Sequence, residues 1–444
     1  MSEMGMAVKV ETMSPVKTKL VFDVPWTDVK KEMDAVYREV NKKANIKGFR
    51  KGKIPLNILE KHYKDYVANE TIANLIEKFY LDALKSHDIS AVNQPDIEQQ
   101  GIETNKNFVF TATVEVKPVV EPKDYKDLEL EKIEGEASEE DIAAKLEEYR
   151  QIFAVMEDIK EVRGIQEGDF VNLDFAGTID GVRRKELEAD NFLLEVGSKR
   201  FIPGFEEQLI GTANGETKVI NIPFPDDYYL KDVAGKDAAF SLTVKGIKEK
   251  VLPPLDDSFI KNFSKYQSIE ELKEDIRASL NKQITIKSEA DLNNLIIKKL
   301  LEKNEIEVPP SYVEREYRYM MADAHRRMVL DGLKEEDAFE VGNKFKEDYF
   351  QMAQRVVKVA VLFKSIASKE SIVVEESEID ERIEELAGES RDYEKSKKFL
   401  NDKITRSKIG HEMLHNKVLR FIKDNSNISI VKKNTIDMIE EGNR

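Results

Sequence analysis

Phe170-Val171-Asn172-Leu173-Asp174-Phe175-Ala176 is β-patterned, apolar and polar residues alternating with the period of a half-buried strand. Asp180-Gly181 follows as a hairpin-type turn. Further runs of the same kind are Phe192 to Val196, Val219 to Phe224 and Ala239 to Ile247. Glycines become frequent from about Val162, and Pro253-Pro254 ends the region. Residues 159–250 therefore read as a compact, mostly β domain with helical sequence on either side.

Toward the N-terminus, residues 119–158 read as a linker and a helix. Pro118 and Pro122 punctuate the chain, and Leu128 and Leu130 alternate with polar neighbours. A helix is expected from near Ser138, with Asp141 three residues on in a capping-box arrangement and an apolar stripe of Ile142, Leu146, Tyr149 and Phe153. Residues 1–118 begin with a strand through Leu20, Phe22 and Val24. Thr27 is a candidate N-cap for a helix carrying Val29, Met33, Val36, Tyr37 and Val40. A second helix carries Ile72, Leu75, Ile76, Phe79 and Ala83, and Phe108, Phe110, Ala112, Val114 and Val116 form a closing strand. That order predicts a small α+β domain.

Toward the C-terminus, residues 251–444 read as helical. Ser268 and Glu271 form a second capping box, Pro309-Pro310 interrupts the helices, and loops are expected near Gly332, Gly342 and Gly388. No solenoid-type repeat is present. Long helices without one dense apolar stripe suggest extended arms. The fold class is thus multidomain α+β, with an all-α C-terminal part.

The 444 residues exceed one ordinary core and predict about two to four domains. Acidic residues outnumber basic ones by 86 to 70, a formal charge of −16, so contact with nucleic acid would need a local basic patch. The absence of cysteine excludes disulfides, thiolate metal sites and cysteine nucleophiles, and fits a reducing compartment. No apolar h-region precedes Lys17 and no stretch reaches the length of a membrane span. A cytoplasmic chain with no membrane contact is expected.

Gly48-Phe49-Arg50-Lys51-Gly52-Lys53-Ile54-Pro55, between two helices, supplies glycines for a tight exposed loop and positive charge at its tip, with Lys47 beside it. A basic tip with one aromatic suits RNA phosphates plus a hydrophobic contact; a solvated basic turn is the plainer reading. His411-Glu412-Met413-Leu414-His415 spells the H-E-x-x-H zinc pattern, with Glu440 and Glu441 as third-ligand candidates, against chance occurrence in a charged helix. His62, His87 and His325 lack partners at ligand or triad spacing. No nucleotide-binding glycine motif occurs, so neither ATP nor any other cofactor is expected, nor a resident metal. Apolar residues of the helical part, such as Tyr319, Met320, Met321, Phe350 and Val356, suit either helix packing or an adaptable surface for unfolded chains.

The loop Gly48 to Pro55 matches every fixed position of the G-F-R-x-G-x-x-P signature and resembles the ribosome-docking element of bacterial trigger factors. Phe201-Ile202-Pro203-Gly204-Phe205-Glu206 resembles the FKBP-type pocket motif, and Val171 to Gly177 the first pocket strand. The resemblance covers nearly the whole chain. It implies a docking domain (1–118), an inserted prolyl isomerase domain with a short helix (159–250), and a chaperone body with arms (119–158 joined to 251–444). It further implies that Gly48, Phe49, Arg50, Lys51, Gly52 and Lys53 meet ribosomal protein and rRNA near the exit tunnel. The pocket would be Phe205 as floor, Phe175 as wall, and Phe192, Ile202, Tyr228 and Phe240 as the remaining lining. Nascent and unfolded polypeptides are the implied partners, and an exposed apolar cradle would allow a homodimer off the ribosome. One departure stands out: Arg184-Lys185 occupies the rim where an aromatic and an acid are usual, the alternative being a shifted loop with Leu187 and Glu188 just beyond. A free-standing isomerase and an H-E-x-x-H zinc protease are the other readings.

Overall fold

A computed structural model describes residues 7–432 except 227, 229 and 230. Glu440 and Glu441 lie outside the described residues. The chain divides into two compact units. One takes the chain up to Lys132 and Ala290–Ser429; the other is built on Ile133–Glu289.

The first unit opens with β1 (Ala7–Ser14), β2 (Lys17–Val24), α1 (Trp26–Lys43), α2 (Leu56–Ser86), β3 (Asp96–Gln99) and β4 (Phe108–Glu115). The strands form a four-stranded antiparallel sheet in the order β1-β2-β4-β3. Alternation puts Leu20, Phe22 and Val24 and, across the ladder, Phe108, Phe110, Ala112 and Val114 on one buried face. Phe22 faces Phe110 in register and stacks on it at 4.3 Å. Val29 of α1 and Leu75, Phe79 and Ala83 of α2 cover this face. Thr27 is not the N-cap: α1 starts one residue earlier, with Pro25 at the cap position and no side-chain cap. Proline fixes φ there and removes a donor, so the helix needs less capping.

The chain continues through β5 (Glu129–Glu134) into α3 (Glu139–Ile152), β6 (Val155–Asp158), β7 (Phe170–Ile179), β8 (Val182–Glu195), β9 (Thr217–Pro223) and β10 (Asp237–Val251). Ser138 caps α3: Asp141 N–H donates to its Oγ at 3.1 Å and Ser138 N–H donates back to the Asp141 carboxylate at 2.8 Å. β10 pairs with β7, β9 and β6, and β7 with β8, all antiparallel. Asp180 (φ 55°) and Gly181 (φ 78°) both take positive φ, as a primed two-residue hairpin turn requires. A single 3₁₀ turn, Glu207–Leu209, is the short helix of this domain. Beyond it, α4 (Asp257–Ile260) and the first half of α5 (Ile269–Lys303) pack Phe259, Leu272 and Ile276 against Ile142 and Leu146 of α3.

The remaining elements are α6 (Pro310–Leu330), α7 (Glu335–Lys344), α8 (Lys346–Lys369), α9 (Glu376–Gly388), α10 (Tyr393–Leu400), α11 (Lys403–Asp424) and a short strand, β11 (Asn427–Lys432), paired with β5. Gly342 lies within α7 rather than in a loop; a Cβ there would come within 3.2 Å of Met321 Cε, so glycine permits the close approach of α7 to α6. The largest core of the first unit joins Tyr125, Leu128 and Leu130 to Ile296 and Leu300 of α5, Leu362, Phe363 and Ile366 of α8, and Val418 and Ile422 of α11. Polar bonds lock the same segment. Tyr125 Oη donates to Glu370 at 2.6 Å, Lys126 pairs with Glu370 at 2.8 Å, and Lys123 and Asn304 exchange two hydrogen bonds. Burial first, then the Glu370 carboxylate, push the Tyr125 hydroxyl up to about 12. No helix among the described residues is long and apolar enough to cross a membrane.

Candidate functional site

Two groups of residues stand out, one in each unit. In the first unit the loop between α1 and α2 is two successive turns: Phe49 N–H donates to Ile46 C=O (3.1 Å) and Lys53 N–H to Arg50 C=O (3.0 Å). Gly48 (φ 95°) and Gly52 (φ 78°) supply the positive φ these turns need. The base is clamped by Asn41. Its C=O accepts from Gly52 N–H (2.9 Å), and its side-chain amide exchanges bonds of 3.1 Å with both Ile54 C=O and Ile54 N–H. Ile54 is buried with Val36, Tyr37, Val40, Leu59 and Val67. The tip is therefore held from beneath, and it exposes Phe49 (39%), Arg50, Lys51 and Lys53. Among the described residues none of these three cations is ion-paired, so the tip keeps its full charge. Asn41 was missed by the sequence reading; a helix-surface asparagine carries no local sign of a bond to a residue thirteen positions on.

In the second unit the aromatic residues expected to form a pocket come together. Phe175 of β7 is the hub: its ring meets those of Phe192 (5.6 Å), Phe205 (5.9 Å) and Phe240 (6.1 Å) edge to face. Phe201 completes the group, 5.7 Å from Phe175 and from Phe192 and 4.3 Å from Phe205. Phe205 is fully buried, Phe240 and Ile202 nearly so, while Phe175, Phe192, Phe201 and Tyr228 keep partly open faces. Tyr228 joins through Phe224, at 4.8 Å, which in turn lies 6.3 Å from Phe240. Edge-to-face contacts of this kind contribute about 0.5–1.5 kcal/mol each beyond burial, so the set is stiff as well as apolar. Phe201 was quoted in the motif but not counted among the lining residues; its four-residue spacing from Phe205 across a turn was the available signal.

The rim differs from the simplest expectation. Between the pairs Thr178↔Arg183 and Ala176↔Glu188, one residue of β7 faces four of β8. This bulge carries Arg184 and Lys185 out into solvent and turns Leu187 inward. A Cβ on Gly177 would sit 2.7 Å from Leu187 Cβ and 2.8 Å from Phe240 Cε1. Leu187 thus packs over Gly177 in the same buried apolar cluster as Phe240.

Glu206, next to Phe205, organises the loop that carries Phe201. Its carboxylate, 4% exposed, accepts backbone N–H donors from Gly197 (2.8 Å), Lys199 (3.0 Å), Arg200 (3.1 Å) and Phe201 (3.1 Å). Burial pushes its pKa up, but the donors from Lys199, Phe201 and Gly197 outweigh that and hold it below the ordinary carboxylate range. The H-E-x-x-H residues do not converge. His415 turns its ring edge-on to Phe363 at 4.5 Å, where burial lowers its pKa, while His411 is exposed and its Nδ1 lies 3.4 Å from Ser407 Oγ. No cluster of three metal-ligating side chains occurs among the described residues.

A five-stranded module with a buried aromatic floor and partly open aromatic walls has the make-up of an FKBP-type domain, and residues 162–245 match the sequence family of FKBP-type peptidyl-prolyl cis-trans isomerases. The flanking chain matches the bacterial trigger factor protein at residues 6–149 and its C-terminus at residues 268–424. A trigger factor of Syntrophus aciditrophicus is 46% identical over 434 residues, 98% of both chains. One of Geotalea daltonii is 36% identical over 434 residues, 97% of this chain and 100% of that one. A solved trigger factor chaperone structure covers 94% of this chain and 98% of its own at 22% identity, with a TM-score of 0.49. The chain belongs to the bacterial trigger factor family. It is a folding chaperone of that family with a peptidyl-prolyl cis-trans isomerase domain.

Proposed function

We propose that Phe175, Phe192, Ile202, Phe205, Tyr228 and Phe240, together with Phe201, bind the proline ring of an X-Pro segment and lower the barrier to rotation about its amide. That barrier is about 18–20 kcal/mol because conjugation flattens the amide. The twisted transition state is less conjugated and less polar, so a dry, rigid aromatic pocket favours it over the planar ground state. No nucleophile, metal or nucleotide is needed. The observation that carries this reading is the placement of Phe175 in edge contact with Phe192, Phe201, Phe205 and Phe240. The test is catalysed isomerisation of a short X-Pro peptide. Wild-type protein is expected to accelerate it and Phe205→Leu, which retains an apolar core residue, to lose most of the acceleration; equal rates would overturn the assignment.

We further propose a division of labour. Residues 1–118 dock on the ribosome, residues 159–250 isomerise, and residues 119–158 with 251–444 form the chaperone body. Docking would use Gly48 to Lys53, with Phe49 on ribosomal protein and Arg50, Lys51 and Lys53 on rRNA phosphates near the exit tunnel. The unpaired charge and clamped backbone of the tip support this. Exposed Leu330, Leu333, Phe339, Phe345, Met352 and Val356 on α6 to α8 would hold nascent and unfolded segments weakly and release them without ATP. Off the ribosome a second copy would cover the same apolar surface, and the setting would be the cytoplasm. Replacing Phe49, Arg50 and Lys51 by alanine is expected to abolish co-sedimentation with ribosomes; undiminished pelleting would overturn the docking role.

A further inference from the structure

His415, the second histidine of the H-E-x-x-H stretch, stands where helix packing calls for an apolar residue. α11 gives Leu414, Val418, Leu419 and Ile422 to the core it shares with α8, and His415 lies on the same side. Its ring meets that of Phe363 on α8 edge to face, with centroids 4.5 Å apart and planes at 86°. The ring is half-buried, but Nε2 is sealed from solvent, and among the described residues no donor or acceptor reaches it. A neutral imidazole can leave Nε2 as a bare lone pair, whereas an imidazolium carries an N–H on both nitrogens. Charging therefore creates a buried charged donor with nothing to accept from it, since an aromatic face is only a weak acceptor.

The elements around the ring hold little to compensate a new charge. On α8 the run from Val359 to Ala367 has one charged residue, Lys364, which is exposed. On α9, Glu376 and Asp380 are each taken by Arg406 at 2.6 Å, Glu378 by Lys417 at 2.6 Å, and Arg382 pairs with Glu385 at 2.5 Å. On α11 itself His411 is exposed, and Lys408 lies over the Tyr319 ring of α6 at 4.1 Å. Glu412, one turn back from His415, is exposed and also in the field of Arg382. Burial lowers His415 below its usual 6.5, and the Glu412 charge opposes this more weakly.

We propose that His415 is an acid-sensitive latch between α8 and α11, which closes the seam while neutral and, once charged, drives α11 off Phe363 and opens apolar surface to unfolded chains. The sign follows from burial. Above about 6.5 the ring is neutral whether the seam is closed or open, and the seam holds. As pH falls below that value the open state takes up the proton more readily, so opening is favoured until the depressed closed-state value is passed. The consequence for unfolded chains rests on the chaperone reading above; the latch itself does not.

The test follows backbone hydrogen exchange of the full-length protein, peptide by peptide, at about pH 7.5 and about pH 5.5, either side of the ordinary histidine value. Each rate is divided by that of an unstructured amide at the same pH. In wild type, acidification should open α11 and the part of α8 around Phe363 by about threefold or more, equivalent to about half a unit of differential protonation, with β10 unchanged. In His415→Phe and His415→Leu, which cannot charge, α8 and α11 should stay level; two variants are made so that one that folds poorly does not decide the matter. No opening in wild type, or equal opening in wild type and the variants, overturns the latch. Binding of labelled, reduced and carboxymethylated α-lactalbumin, which stays unfolded, should be tighter to wild type than to His415→Phe at the lower pH and equal at the higher. Opening without that difference overturns the link to unfolded chains and leaves the latch standing. Binding absent from both proteins at both pH values counts against the chaperone surface itself and removes the link with it.

Discussion

At the scale of single residues, Glu206 matters as much as the rings it supports. Four backbone donors end on one buried carboxylate, and the loop they fix carries Phe201 against Phe205. Glu206→Gln keeps the shape but loses the charge that four donors solvate, at a cost of about 1–3 kcal/mol. Because the folded-state pKa lies below the ordinary 4.5, the carboxylate's contribution is complete above that value and is lost as pH falls through the depressed one. Thermal melts should therefore show wild type above Glu206→Gln at neutral pH, with the gap closing on acidification; a gap independent of pH would mean the charge contributes nothing. Isomerase activity should fall with the same substitution, since Phe201 loses its anchor. Phe175 and Phe205 were legible through the two stretches that resemble the FKBP-type pocket, whereas Phe192 and Phe240 followed only from extending that resemblance along the chain. For Leu187 the sequence offered only the alternative of a shifted loop, because nothing local distinguishes a bulge that faces four residues to one from a regular hairpin.

At the scale of elements, that bulge and the docking loop are both backbone devices that depend on one small or polar residue. Gly177 lies under Leu187 and Phe240 with no room for a methyl group. Gly177→Ala should push one of them aside, costing about 1–3 kcal/mol and reducing kcat/KM for the X-Pro peptide in excess of any fall in the folded fraction. If activity per folded molecule stays at the wild-type level, Leu187 is packing only and not part of the rim. In the docking loop, Asn41→Ala removes the two side-chain bonds to Ile54 while leaving every tip cation in place. Ribosome affinity should drop several-fold through loss of preorganisation alone, measured by co-sedimentation at fixed salt. The elements that escaped the sequence reading share a cause. β1 is an edge strand with charged and exposed positions, β3 is four residues long, and β5 with β11 is a pair joined only across the chain. Their pairing depends on distant partners, whereas β2 and β4 announce themselves by burying every second side chain.

At the scale of the whole molecule, the tip and the aromatic group belong to different compact units with separate hydrophobic cores. Residues that share neither contacts nor a core contribute additively, so damage to one site should leave the other intact. Phe205→Leu should lower isomerisation by at least about tenfold, since floor contacts to the twisted amide worth about 1.4 kcal/mol would be gone. The same variant should pellet with ribosomes as wild type does. Arg50→Ala with Lys51→Ala should do the reverse. Each removes one phosphate-facing charge, so the slope of log affinity against log salt should become shallower by about two, and isomerase rates should be unchanged. The double perturbation is the discriminating one: combining Phe205→Leu with Arg50→Ala and Lys51→Ala should reproduce both deficits with no excess. A combined ribosome affinity well below that of the charge variant would mean that the β domain contributes to docking, and the loop would then be only part of the binding surface.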